Sequence, residues 1–123
     1  MSQLLQEIEA LRKPMKELND FIFDHPELGN EEFKAHELLT NLLEEEGFTV
    51  DREVSGLKTA FRAVYHVHGG GPKIGLLCEY DALEGLGHAC GHNLQGPSIC
   101  TAAIALKRTL QAPCTLVVYG TPA

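Results

Sequence analysis

Apolar positions along the first third of the chain follow a helical period. Leu4, Ile8, Leu11, Met15, Leu18 and Ile22 recur at alternating spacings of four and three, which puts them on one helix face. The stripe runs through Pro14, so the pattern predicts one kinked helix, with a break at the proline as the alternative. His25-Pro26 ends it. Asn30 reads as the N-cap of a second helix, with Glu31 and Glu32 at the positive end of its dipole. Ala35, Leu38, Leu39, Leu42 and Leu43 form its buried stripe, and Gly47 its stop. The run Glu44-Glu45-Glu46 reads as a solvated face.

The period then changes to two. Phe48, Val50, Arg52 and Val54 alternate with polar residues as in an edge strand, and Ser55-Gly56 turns the chain. Phe61, Ala63, Tyr65 and Val67 make an apolar strand face, with Arg62, His66 and His68 on the other. Exposed polar positions on a half-buried strand account for the two histidines without a metal. Gly69-Gly70-Gly71-Pro72 is a loop that lacks the lysine and helix-opening context of a phosphate-binding loop. Lys73 to Cys78 and Thr115 to Tyr119 are continuous apolar runs, which suggests strands buried on both faces in a parallel sheet. Between them, Ile99 to Leu110 predicts a buried crossover helix, making a βαβ unit. The class is α/β.

Composition narrows the function. The 123 residues carry a net charge of −7, which disfavours nucleic acid and anionic membrane surfaces as partners. No apolar run has bilayer-spanning length, and the N-terminus lacks the features of a secretion signal. A cytoplasmic location is the resulting expectation. Of four cysteines, Cys78, Cys100 and Cys114 sit in apolar runs as small hydrophobes. Cys90 differs, with His88 and His92 each two residues away.

The loop from Glu79 to Asn93 gathers carboxylate, imidazole and thiol groups after a strand and before a helix, where α/β sheets hold ligands. Cys90 and His92 are good donors for zinc and other borderline metals, and Gly91 lets the backbone bend between them. Asp81 can orient a metal-bound side chain through a hydrogen bond. Two ligands alone do not close a site.

Glu79-Tyr80-Asp81-Ala82-Leu83 followed by Gly87-His88-Ala89-Cys90-Gly91-His92-Asn93 resembles the peptidase M20 metallo-amidohydrolases, in the branch of aminobenzoyl-glutamate hydrolase and β-alanyl-lysine dipeptidase-like enzymes. His25-Pro26-Glu27-Leu28-Gly29 with Glu32, Gly47-Phe48-Thr49-Val50, Thr59-Ala60-Phe61-Arg62-Ala63 and Gly120-Thr121-Pro122-Ala123 extend the resemblance over essentially the whole chain. It implies metal ligands at Cys90 and His92 and a supporting Asp81. His88 is implied to be structural or to orient a ligand. Glu79 stands where other branches have a histidine ligand and is not counted as one. Asn93 replaces an aspartate of the hippurate- and auxin-conjugate-hydrolase branch, which weighs against those substrates.

The implied fold is a partial α/β/α sandwich of the zinc-peptidase type, its mixed and mostly parallel sheet truncated after an inner strand. Residues 1–123 are then the N-terminal portion of the catalytic domain, without the lid or dimerisation domain and the C-terminal part. The implied activity is hydrolysis of an amide in a small N-acyl amino acid or dipeptide by water activated at a two-metal site of zinc or manganese. The general-base glutamate is expected just after Ala123 and two histidine ligands later still, so the chain alone is expected to be inactive. A homodimer is left open for the full-length form. Two other readings stand beside this one: a stand-alone, non-catalytic relative that binds metal or a partner, and a thiol redox protein using Cys90.

Overall fold

The computed structural model describes residues 2–122, so Ala123 in the resemblance above lies outside the described residues. Three helices open the chain: α1 (Gln3–Ala10), α2 (Arg12–Asp24) and α3 (Phe33–Glu45). The first apolar stripe is thus divided between two helices, and the division falls at Leu11 rather than at the proline. Pro14 occupies the first turn of α2, where its missing N–H is no loss. Leu11 and Ile22 from this stripe are buried, while Leu4 is exposed.

The cap position of α3 is not Asn30. It is Glu32, which makes no side-chain capping bond. Glu27 does that work from outside the helix. Its carboxylate accepts from the Lys34 amide at 2.9 and 3.0 Å and from the Ala35 amide at 2.9 Å. A negative charge on the first free amides also suits the helix dipole. Ala35, Leu39 and Leu43 then enter the core as the stripe predicts. The Glu44–Glu46 run is only partly a solvated face, because Glu46 pairs with Arg108 at 2.5 Å.

The sheet contains β1 (Thr49–Asp51), β2 (Phe61–Val67), β3 (Lys73–Cys78) and β4 (Cys114–Gly120), in the order β1-β2-β4-β3. β1–β2 and β2–β4 pair antiparallel, and only β3–β4 pair parallel. The sheet is therefore mixed but mostly antiparallel, which corrects the mostly parallel expectation. The apolar runs of β3 and β4 report one parallel pair and say nothing of β2, which runs the other way. β4 is an inner strand, and all its residues but Tyr119 are buried. β3, expected to be buried on both faces, lies at the edge with Ile74 and Leu77 exposed. His66 bonds Thr115 Oγ1 at 3.0 Å, and His68 lies past the strand at φ +58°.

The crossover helix α4 (His92–Thr109) begins seven residues before its apolar run. Residues 92–98 include Gly96 and Pro97 and no apolar period, which hides the first turns. Cys100, Ala103 and Ile104 of α4 pack with Leu39, Phe61, Leu116 and Val118 in one core. Each of the fully buried leucine, isoleucine, valine and phenylalanine side chains here contributes about 1.5–3 kcal/mol. Among the described residues no helix is long and apolar enough to cross a membrane.

Candidate metal centre

β3 ends at Cys78, and the next residues choose sides. Tyr80 is fully buried, stacked on Phe61 with its hydroxyl donating to the Thr59 carbonyl. With Tyr80 anchored inward, its neighbours Glu79 and Asp81 reach the first residue of α4. Asp81 Oδ1 lies 2.8 Å from His92 Nδ1. Glu79 Oε2 lies 3.3 Å from His92 Nε2. Gly91, at φ +81°, supplies the bend that brings the chain into α4.

The loop is braced from the opposite side by the α2–α3 connection. The Ala82 amide donates to the Glu27 carbonyl at 2.7 Å, and Leu28 bridges to Ala82. Glu27 thus serves the loop through its backbone and α3 through its side chain. Asn93 Nδ2 donates to Asn19 Oδ1 at 2.7 Å, tying α4 to α2.

The structure brings Asp81 and His92 together. Cys90 is the one exposed cysteine among the described residues, and Cys78, Cys100 and Cys114 are buried as their apolar settings predict. The Cys78 thiol is pushed well above its ordinary range, first by its contact with Cys100 and then by burial. His88 is buried, and neither ring nitrogen has a hydrogen-bond partner among the described residues. Burial, and next the nearby His92, hold its imidazole below the usual value. Glu32 is fully buried, its Oε1 accepting from Thr59 Oγ1 at 2.9 Å, and burial pushes its carboxyl up.

One feature of this junction is shared with metal-binding histidines. Histidines that hold a metal through one ring nitrogen almost always engage the other with a carboxylate, carbonyl or water. Asp81 does this at Nδ1, while Nε2 faces the Glu79 carboxylate. Among the described residues no group of three or more histidine, cysteine, aspartate or glutamate side chains is gathered as a metal site. A complete coordination sphere would need further donors.

Comparison with known proteins places the chain among related sequences and folds. The chain is 43% identical over 121 residues to one of the polypeptides of p-aminobenzoyl-glutamate hydrolase from Escherichia coli, covering 85% of this chain and 25% of that protein. It is 38% identical over 131 residues to the Xaa-Arg dipeptidase of Mus musculus, covering 96% of this chain and 30% of that protein. A dinuclear metal-binding peptidase of the M20 family from Bacillus subtilis superposes with a TM-score of 0.82 at 26% identity, covering 94% of this chain and 36% of that one. The chain is a partial-length homologue of the M20 peptidases. It spans between a quarter and a third of the curated relatives' length. The same fold recurs in the aminobenzoyl-glutamate utilization protein of Klebsiella pneumoniae, with a TM-score of 0.73 at 18% identity over 95% of this chain and 38% of that one. No family model matches the chain.

Sequence reasoning nominated Asp81, Cys90 and His92 through the motif, and of these the structure joins Asp81 to His92. It did not find Glu27 as a brace or Gln95 as a partner of β3. Gln95 Oε1 accepts from the Glu79 amide at 2.5 Å, and its Nε2 donates to the Leu77 carbonyl at 3.1 Å. Gln95 carries no local signal because it bonds backbone sixteen and eighteen residues away, and Glu27 none because it caps α3 from beyond the usual cap position.

Proposed function

We propose that this chain supplies part of the metal centre of a metal-dependent amidohydrolase or dipeptidase, as the N-terminal portion of its catalytic domain. The Asp81–His92 hydrogen bond carries the proposal, because it is the carboxylate–histidine arrangement of a metal ligand at the carboxyl end of a strand. His92 Nε2 and the Cys90 thiolate would hold a zinc or manganese ion. Asp81 fixes the imidazole tautomer with the proton on Nδ1 and raises the basicity of Nε2. A bound ion supplies Lewis acidity toward an amide carbonyl and lowers the pKa of water.

The substrate class is an amide bond in a small N-acyl amino acid or dipeptide, supported by what the relatives are named for: p-aminobenzoyl-glutamate hydrolysis and Xaa-Arg dipeptide cleavage. The general base would come from polypeptide beyond these 123 residues. The chain by itself is then inactive. A reducing, cytoplasmic setting belongs to the same proposal, since it keeps the Cys90 thiol available.

The test is hydrolysis by the longer protein that carries this segment, assayed on N-acyl amino acids and dipeptides with and without chelator. His92→Ala and Cys90→Ala should remove most of the activity, and chelation should remove it reversibly. Turnover that survives chelation and both substitutions overturns the proposal.

A further inference from the structure

Asp81 is held from both flanks, and both holds end on the first turn of α3. Its preceding neighbour Tyr80 donates its hydroxyl to the Thr59 carbonyl. The Thr59 hydroxyl in turn donates to Glu32 Oε1 at 2.9 Å. Glu32 occupies the cap position of α3, and its carbonyl accepts from the His36 amide at 3.0 Å. On the other flank the Ala82 amide donates to the Glu27 carbonyl at 2.7 Å, while the Glu27 carboxylate holds the amides of Lys34 and Ala35. Residues 80 and 82 are thus both tied to the start of α3, one through Thr59 and one through Glu27.

Thr59 joins three segments: its own loop before β2, the end of β3 and the start of α3. Its loop is clasped to α3 by His36, whose Nε2 faces the carbonyls of Arg52 at 2.7 Å and Ala60 at 3.2 Å and so carries the proton. Thr59, Tyr80 and Glu32 are each 1% exposed or less, so bulk water cannot replace a bond that is lost. A buried chain of hydrogen bonds restricts every member. Tyr80 cannot turn without stranding the Thr59 carbonyl, and Asp81 turns with Tyr80.

We propose that Thr59 is a positioning residue for the Asp81–His92 hydrogen bond, joining Tyr80 to the first turn of α3. It acts through Tyr80 and Glu32. What it fixes is the direction of the Asp81 carboxylate, and with it the nitrogen of His92 that carries the proton. The inference deepens the metal reading above, on which its zinc measurement rests.

Nitrogen NMR of the imidazole in the metal-free 123-residue chain reads the His92 tautomer, at alkaline pH where an imidazole is neutral. The wild type should hold the proton on Nδ1, facing Asp81. Thr59→Val removes the hydroxyl at similar size. Tyr80→Phe removes the other end of the link and keeps the ring stacked on Phe61. Both should shift the ring toward the Nε2–H form, and both should weaken zinc binding in chelator competition roughly 10–100-fold. Thr59→Ser keeps the hydroxyl and should restore both readings. Ile104→Val loosens the same core without touching this chain of bonds, and should leave the tautomer as in the wild type. A wild-type tautomer in Thr59→Val and Tyr80→Phe, each shown to be folded by circular dichroism, overturns the inference and leaves the metal reading standing. A Thr59→Ser chain that behaves as Thr59→Val does overturns it too, because the hydroxyl is then not the agent. An equal shift in Ile104→Val overturns it as a general loosening of the core. If the tautomer responds as expected and the wild type binds no zinc, the positioning role stands and the metal reading falls.

Discussion

Asp81 Oδ1 and His92 Nδ1 meet at 2.8 Å across the junction of β3 and α4, eleven residues apart in sequence. Asp81 is buried while the His92 side chain is 22% exposed, so a buried carboxylate holds a ring that still reaches solvent. Asp81→Asn keeps the shape and removes the charge. It should lower zinc affinity roughly 10–100-fold, as loss of an outer carboxylate does. Competition with a chromophoric chelator measures this, and an unchanged affinity would count against the role given to Asp81.

Glu27 is the N-terminal cap of α3 although it lies outside the helix. Glu27→Ala frees two amides and removes a charge from the positive end of the dipole. The expected loss is about 1–2 kcal/mol, read from urea unfolding. Asn30→Gly, which removes the side chain the sequence nominates for the cap and keeps the φ of +67° unstrained, should lose less than Glu27→Ala. The reverse order would restore the sequence-based reading.

Glu32 gives a pH signature. Its folded-state pKa is raised above the ordinary 4.5, with burial the main cause. The folded chain therefore holds this proton more tightly than the unfolded chain, and ionisation costs stability. The cost is absent below about pH 4.5, grows through the raised pKa and is full above it. Relative to Glu32→Gln, the wild type should lose stability as pH rises from there toward neutral, then level off. Urea unfolding of both proteins across that range tests this; a difference that does not vary with pH contradicts it.

Gly120 closes β4 with no room for a side chain. A Cβ there would collide with two ring carbons of Phe61 and meet the Tyr80 hydroxyl at 2.7 Å. Phe61 and Tyr80 are themselves buried, so neither can swing clear. Gly120→Ala should cost about 1–3 kcal/mol through overpacking. Because Tyr80 anchors the segment carrying Glu79 and Asp81, the same change should also weaken metal binding. Thermal unfolding gives the first effect, and a variant as stable as the wild type would show that the ring pair can move.

Periodicity carried the parts of this fold that depend on burying one face. The stripes of α2 and α3 and the apolar face of β2 could all be read that way. It failed where burial is not the determinant. An apolar run cannot say whether a strand has neighbours on one side or two, so edge strand β3 read like inner strand β4. The start of α4 was hidden because residues 92–98 are polar or helix-weakening, and their packing on β3 comes from tertiary contact. Asp81, Cys90 and His92 could be nominated from the sequence because their motif is local, and the Asp81–His92 contact is the part the structure shows. Glu27 and Gln95 could not be: Glu27 caps α3 from outside the usual cap position and meets the Ala82 amide through its backbone, and the Gln95 side chain bonds backbone sixteen and eighteen residues away.

The central claim is that the β3–α4 junction binds a divalent ion through His92 and Cys90. Zinc titration of the chain against a competing chelator tests it most directly. The expected result is weak but measurable binding to the wild type, lost in His92→Ala and reduced in Cys90→Ser. No binding by the folded wild type, or sub-nanomolar affinity that neither substitution changes, would contradict it.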